Sequence, residues 1–197
     1  MRTGSLTLII LLCGLSAPLK AIETLPYQVL ATQGAIEIRR YGPHLLATVQ
    51  VAADFDDAGS QGFRPLFNYI SGDNAGAEKI AMTAPVLQQA DAPSEDGQWS
   101  VSFVLPGVLD QQSAPAPQND AVQINQQSGF VVAALAYRGS WSRKNYAQHE
   151  ELLLAGIKQM ALSPCGAPLW ARFDPPFMPW FLRKNEILVP LCSKPEL

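Results

Sequence analysis

IEIRRYGPHLLATVQV, residues 36–51, decides how the rest of the chain is read. Its first half alternates apolar and polar side chains and its second half runs apolar, as strands do, while Tyr41-Gly42-Pro43-His44 between them has turn chemistry. The stretch predicts two strands joined as a hairpin over about 35–52. The next stretch, DFDDAGSQGFRPLFNYISG (54–72), places Phe63, Leu66, Phe67 and Ile70 on one helical face. Acidic residues stand at its start, where the helix dipole favours them, and Gly72 at its end. Pro65 removes a backbone donor and predicts a kinked or irregular helix start. KIAMTAPVLQQ (79–89) and QWSVSFVLP (98–106), joined by the polar ADAPSEDG, read as two further strands. The first half is thus strand, strand, helix, strand, strand.

The second half repeats that order. AVQINQQ (121–127) and FVVAALAYRG (130–139) read as strands, SRKNYAQHEELLLAGIKQMAL (142–162) as a helix, and PLWARFD (168–174) and NEILVPLC (185–192) as strands. Ser142 is the expected N-cap, and Tyr146, Leu153, Ile157 and Met160 share one helical face. The linker GVLDQQSAPAPQND (107–120) is a Pro- and Gln-rich loop. No residue-level identity relates the halves, so the duplication rests on element order. Two such units can pair their sheets into a closed or nearly closed antiparallel barrel of α+β class, with a groove beside the helices.

Length and composition agree with one domain: 197 residues, 48% hydrophobic and 16% charged, suit a single packed core. A net charge of -3 with no basic run argues against nucleic acid or an anionic membrane surface as partner. Arg2 precedes the apolar run LTLIILLCGLSA and then PLKA, the pattern of a secretory signal peptide over 1–21. About a dozen apolar residues fall short of the roughly 20 that a spanning helix needs. The expectation is an exported domain, 22–197, periplasmic or extracellular, with no membrane span after cleavage. Export removes Cys13 and leaves Cys165 and Cys192 in an oxidising compartment, where a disulfide is expected; two separate buried thiols are the alternative.

Common catalytic patterns are absent: there is no CxxC, HExxH, GxSxG or phosphate-cradling glycine loop. The two histidines, His44 and His149, stand far apart in sequence. The chain has instead soft and flat apolar residues, Met82, Met160, Met178, Trp170, Phe173, Phe177, Trp180 and Phe181. Such side chains wall a pocket for a flat apolar ligand, or fill a core.

IEIRRYGPHLLATVQV, GFRPLFNYISGDN, EKIAMTAPV and PFMPWFLRKNEILV occur in this order over about 27–191 and resemble the SOUL haem-binding protein family. The resemblance implies a distorted eight-stranded antiparallel barrel with two helices outside and a duplicated ββαββ unit. It also implies non-covalent binding of haem or another tetrapyrrole in a shallow apolar site, with no structural metal. The expected ligand contacts are Met82, Phe63, Phe67 and Met178, with Lys79, Arg39 and Arg40 near the propionates. Some members are thought to ligate iron through a histidine in an EIRHYGP version of the first stretch; Arg40 occupies that position here. His44 is the substitute candidate, and otherwise binding rests on ring burial and charge.

The Met82-Thr83-Ala84-Pro85 tetrad has two readings, a packed junction between helix and sheet or part of the ligand wall. Three functions compete: a carrier or buffer of tetrapyrroles, a module for another amphipathic molecule, and a haem-modifying enzyme. An acidic groove would favour the second, and a clustered acid, base or nucleophile the third.

Overall fold

The structure is a computed structural model and describes residues 22–90 and 97–192. The predicted signal peptide, 1–21, lies outside the described residues. In chain order the elements are β1 (Glu23–Thr24), β2 (Tyr27–Gln33), β3 (Ile36–Tyr41), β4 (His44–Ala52), α1 (Phe55–Ser71), β5 (Thr83–Ala84), β6 (Val86–Ala90) and β7 (Gln98–Val104). Then follow β8 (Gln123–Gln127), β9 (Phe130–Arg138), α2 (Arg143–Gln159), β10 (Leu169–Arg172), a 3-10 turn (Trp180–Leu182) and β11 (Lys184–Pro190).

Nine strands form one antiparallel, curled half-barrel in the order β2-β3-β9-β11-β10-β6-β7-β4-β8, and β1 pairs with β5 in parallel beside it. Leaving out β2, the order is symmetric about the β10–β6 junction. In one half β4 pairs β7 and β7 pairs β6; in the other β9 pairs β11 and β11 pairs β10. The first strand of each half crosses over to its counterpart's second strand, β3 to β9 and β8 to β4. The predicted duplication is therefore present as topology. The ninth strand, β2, is an addition that caps β3.

The hairpin expected over 35–52 does not form. Both strands exist, but β3 pairs β2 and β9 while β4 pairs β7 and β8. Two-residue hairpins need a left-handed residue at the turn, and Gly42 is not among the positive-φ glycines. With Pro43 next, the chain is carried from one half of the sheet to the other.

Helix α1 runs unbroken through Pro65, contrary to the kink expected there. The lost hydrogen bond is outweighed by the face that α1 buries: Phe55, Ala58, Gly59, Gly62, Leu66, Tyr69 and Ile70. Gly62 lets the helix approach the sheet, since a Cβ there would sit 2.5 Å from the Val101 Cβ. Gly72, at φ 121°, ends the helix as expected. Helix α2 starts at the predicted cap, where Ser142 Oγ accepts from the Asn145 amide, and buries Tyr146, Leu153, Gly156 and Ile157. Under both helices Phe55 meets Trp99, Tyr146 and Trp170 edge-on, with centroids 5.3, 5.2 and 5.2 Å away. Each such pair adds about 0.5–1.5 kcal/mol beyond its area, which ties both helices to one sheet face.

Candidate functional site

The strand expected from Lys79 begins only at Val86. Met82 precedes the two-residue strand β5, and Thr83 Oγ1 donates to the Val104 carbonyl, which pins this segment to β7. The tetrad thus packs a junction, and it also forms a wall. Between the flank of α1, the Met82–Ala84 segment and the loop after β10 lies an apolar cavity of about 470 Å³. That is within the roughly 300–1,000 Å³ of small-molecule pockets.

The pattern of α1 explains the cavity's first wall. Leu66 and Ile70 enter the core, whereas Phe63 is half-buried and Phe67 is exposed, one turn apart on the flank. Their rings stack at 5.7 Å and 15°, and Phe63 is held edge-on by Phe103 at 5.1 Å. Phe173, Pro175, Pro176 and Phe177 form the facing wall.

The polar feature is Arg172, the last residue of β10, and it is the one cation among the described lining residues. It is 9% exposed and has no carboxylate partner among the described residues. Its Nη2 donates to Gln88 Oε1 at 2.6 Å, and Gln88 in turn donates to the Phe55 carbonyl at 3.0 Å. Its guanidinium lies 5.1 Å from the Trp141 ring, and a Cβ at Gly59 would fall 2.0 Å from Nη1. Gly59 therefore makes room for this side chain. Arg172 Nε and the Trp141 indole nitrogen are buried without hydrogen-bond partners, and the hydroxyls of Tyr137 and Tyr146 are buried close to each other and to the guanidinium. Burial, the largest cause, raises the pKa of the Tyr146 hydroxyl, and the charge on Arg172 offsets part of that rise. A buried guanidinium held by a neutral amide and a ring but by no carboxylate still costs free energy, which an anion at the cavity would offset. The lining carboxylate, Asp174, accepts instead from the Lys184 amide at 2.6 Å.

The structure brings together three of the predicted contacts, Phe63, Phe67 and Met82, and disperses the others. Lys79 is exposed on the loop before β5, off the cavity. Met178 is half-buried one residue beyond the wall, with its carbonyl accepting from Arg183 Nε at 2.8 Å. Arg39 is buried and ion-paired with Glu186 at 2.6 Å and Glu37 at 2.7 Å, with its guanidinium 4.1 Å from the Tyr27 ring. Burial disfavours its charge, but the hydrogen bonds and attraction to Glu186 outweigh this and hold its pKa above the ordinary arginine value. Arg40 is exposed beside a second, more open hollow of about 540 Å³ lined also by Tyr27, Tyr41 and Phe130. His44 is not in the turn but opens β4, with Nδ1 2.9 Å from the Gly42 carbonyl and its ring 5.9 Å from Phe130. Neither histidine lines the apolar cavity, and no cluster of metal-ligating side chains occurs among the described residues.

Cys165 and Cys192 are exposed, unbonded thiols flanking the Pro164–Leu191 bridge. They interact: hydrogen bonding with Cys165, the largest cause, raises the pKa of Cys192. The apolar cavity is not the acidic groove of the second reading: Asp174 is the one carboxylate among its described lining residues, and Glu186 lies buried off it, paired with Arg39 and, at 3.1 Å, with Lys184.

Residues 22–190 match the family described as SOUL heme-binding protein. Heme-binding protein 1 of Mus musculus is 30% identical over 177 residues, covering 85% of this chain and 92% of that protein. Heme-binding protein 2 of Homo sapiens is 33% identical over 129 residues, 63% of this chain and 62% of that protein. Among solved structures, the EcmrR C-terminal domain superposes with a TM-score of 0.62 at 10% identity, covering 85% of this chain and 99% of that one. A hydrolase from Listeria innocua gives 0.55 at 11% identity, covering 82% and 94%. These last two likenesses show a shared fold.

Proposed function

Because the chain belongs to the SOUL haem-binding family, we propose that it binds haem or a related tetrapyrrole non-covalently in the cavity between α1 and the Phe173–Phe177 loop. The observation that carries this reading is the buried guanidinium of Arg172, beside apolar walls and without an ion-paired carboxylate among the described residues. A tetrapyrrole presents a flat apolar ring and carboxylates, and this cavity offers it aromatic walls and a cation. Stacked Phe63 and Phe67 contribute area and ring contacts, and Met82 fills the gap between them and the sheet. Arg172 meets a carboxylate, and its pairing with Gln88 holds the guanidinium at the cavity.

The bound haem would supply ring area, carboxylates and an iron that no histidine of the cavity ligates. Arg39, Arg40, Lys79, Met178 and His44 have no role in this reading. The role is that of a carrier or buffer, not an enzyme, in a protein exported by residues 1–21, with Cys165 and Cys192 joined in the oxidising compartment.

The test is a titration of the chain from Ile22 onward with haemin and, separately, with iron-free protoporphyrin. Saturable binding of both, with affinities within about threefold, is expected. A shifted Soret band with haemin alone, abolished by His44→Ala, overturns the reading.

A further inference from the structure

The loop that closes the cavity carries an unusual tip. Residues 175–182, PPFMPWFL, contain no charged side chain, and Phe177, Trp180, Phe181 and Leu182 are all exposed, Phe177 by 86% and Trp180 by 61%. Large aromatic residues are rarely left in water in a contiguous group without a partner. This group is also ordered in advance. Arg183 donates from Nε to the Met178 carbonyl and from Nη2 to the Pro176 carbonyl, and the amides of Met178, Leu182 and Arg183 close turns on Pro175, Pro179 and Trp180. Trp180 and Phe181 meet edge-on at 5.7 Å. A rigid tip pays little ordering entropy when it is buried.

We propose that this loop seats the protein on a lipid bilayer, with Trp180, Phe181 and Leu182 in the interfacial region and the cavity mouth facing the membrane. Two observations favour a bilayer over a protein partner. The tip is rich in Trp and Phe, which prefer the membrane–water interface, and its lack of charge fits a surface entered by area. The exposed Phe67 and Ile22 border the same cavity as Phe177, so the apolar surface continues from the tip into the ligand site. With a net charge of -3, attraction to anionic lipid is not the driving force, so binding is to the neutral interface and depends weakly on salt. This inference deepens the proposed function by naming the bilayer as the source and sink of an apolar ligand, and it rests on that reading.

The experiment uses residues 22–197, which carry every described element, with phosphatidylcholine vesicles and with vesicles containing phosphatidylglycerol. Trp180 is the only exposed tryptophan of the four, so quenching by bromine-labelled lipid reports its insertion. Co-sedimentation with both vesicle types within about threefold, quenching by the labelled lipid, and at least a tenfold loss of partitioning in Trp180→Ser/Phe181→Ser are expected. Neither of these residues lines the cavity, so haemin affinity of the double variant in lipid-free buffer stays at the wild-type value; that measurement separates failure of this proposal from failure of the ligand assignment. Absence of partitioning overturns the proposal, as does partitioning that the double variant retains. So does lipid-independent dimerisation that the double variant abolishes, which would make the tip an interface between two copies.

Discussion

Replacing Glu186 by Gln separates a structural ion cluster from a ligand site. Glu186 is 1% exposed and accepts from Arg39 Nη1 at 2.6 Å and Nη2 at 3.4 Å, with Lys184 Nζ 3.1 Å away. Gln keeps the shape and removes the charge, leaving the buried Arg39 with Glu37 alone. Breaking a buried pair costs about 3–5 kcal/mol. Because Glu37 and the Tyr27 ring remain against the guanidinium, the low end, about 3 kcal/mol, applies. At about 2–4 °C per kcal/mol for a domain of this size, the thermal midpoint falls by about 6–12 °C. Neither residue lines the apolar cavity, so haemin affinity at 20 °C stays unchanged. A midpoint within about 2 °C of wild type, or a stable variant that loses haemin, would refute the assignment of Arg39 and Glu186 to the frame.

Gly62→Ala sets a new methyl against Val101, fixed within β7, and overpacking of about 1–3 kcal/mol exceeds the roughly 1 kcal/mol gained in helix propensity. The urea midpoint falls; a rise contradicts the close helix–sheet approach. Burial, the largest cause in each case, raises the folded pKa values of Tyr41 and Tyr69 to about 12 from an ordinary value of 10.0. A group that holds its proton longer in the folded state contributes stability below its unfolded pKa and loses it as pH rises towards the folded one. Urea stability should therefore decline from about pH 10 to about pH 12, and a flat profile would show both hydroxyls to be solvated. Air-oxidised protein should show no free thiol until reduced, and Cys165→Ser/Cys192→Ser should cost about 3 kcal/mol against the oxidised form. Two titratable thiols after oxidation would exclude the bridge.

Element order was legible because period-2 strands and amphipathic helices write their pattern locally, and each of the eight strands of the duplicated unit falls within an expected stretch or within a residue or two of it, although the one expected from Lys79 starts only at Val86. Pairing was not legible. Gly42-Pro43 reads as turn chemistry whether the chain reverses on itself or crosses to the other half, and only the long-range register of β3 with β9 separates the two. The strand β2 escaped notice because YQVLATQ, mostly exposed, has no strong apolar alternation. In the site, Phe63 and Phe67 shared a helical face with Leu66 and Ile70, and periodicity alone does not say which side of that face meets the core. Arg172 and Trp141 were missed as polar contacts because nothing local marks them. One signal was available: Gly59, in a helix where alanine is the better residue, points to a close neighbour, and that neighbour is Arg172.

The most direct test of the account is a double cycle at the carboxylate contact, comparing protoporphyrin with its dimethyl ester on wild type and on Arg172→Met. A hydrogen bond to a charged group is worth about 1.5–3 kcal/mol, so esterification and the substitution should each weaken binding about 10- to 100-fold, and together hardly more than either alone. Independent losses that multiply, or an Arg172→Met variant that binds like wild type while Arg40→Met does not, would move the ligand out of this cavity and contradict the account.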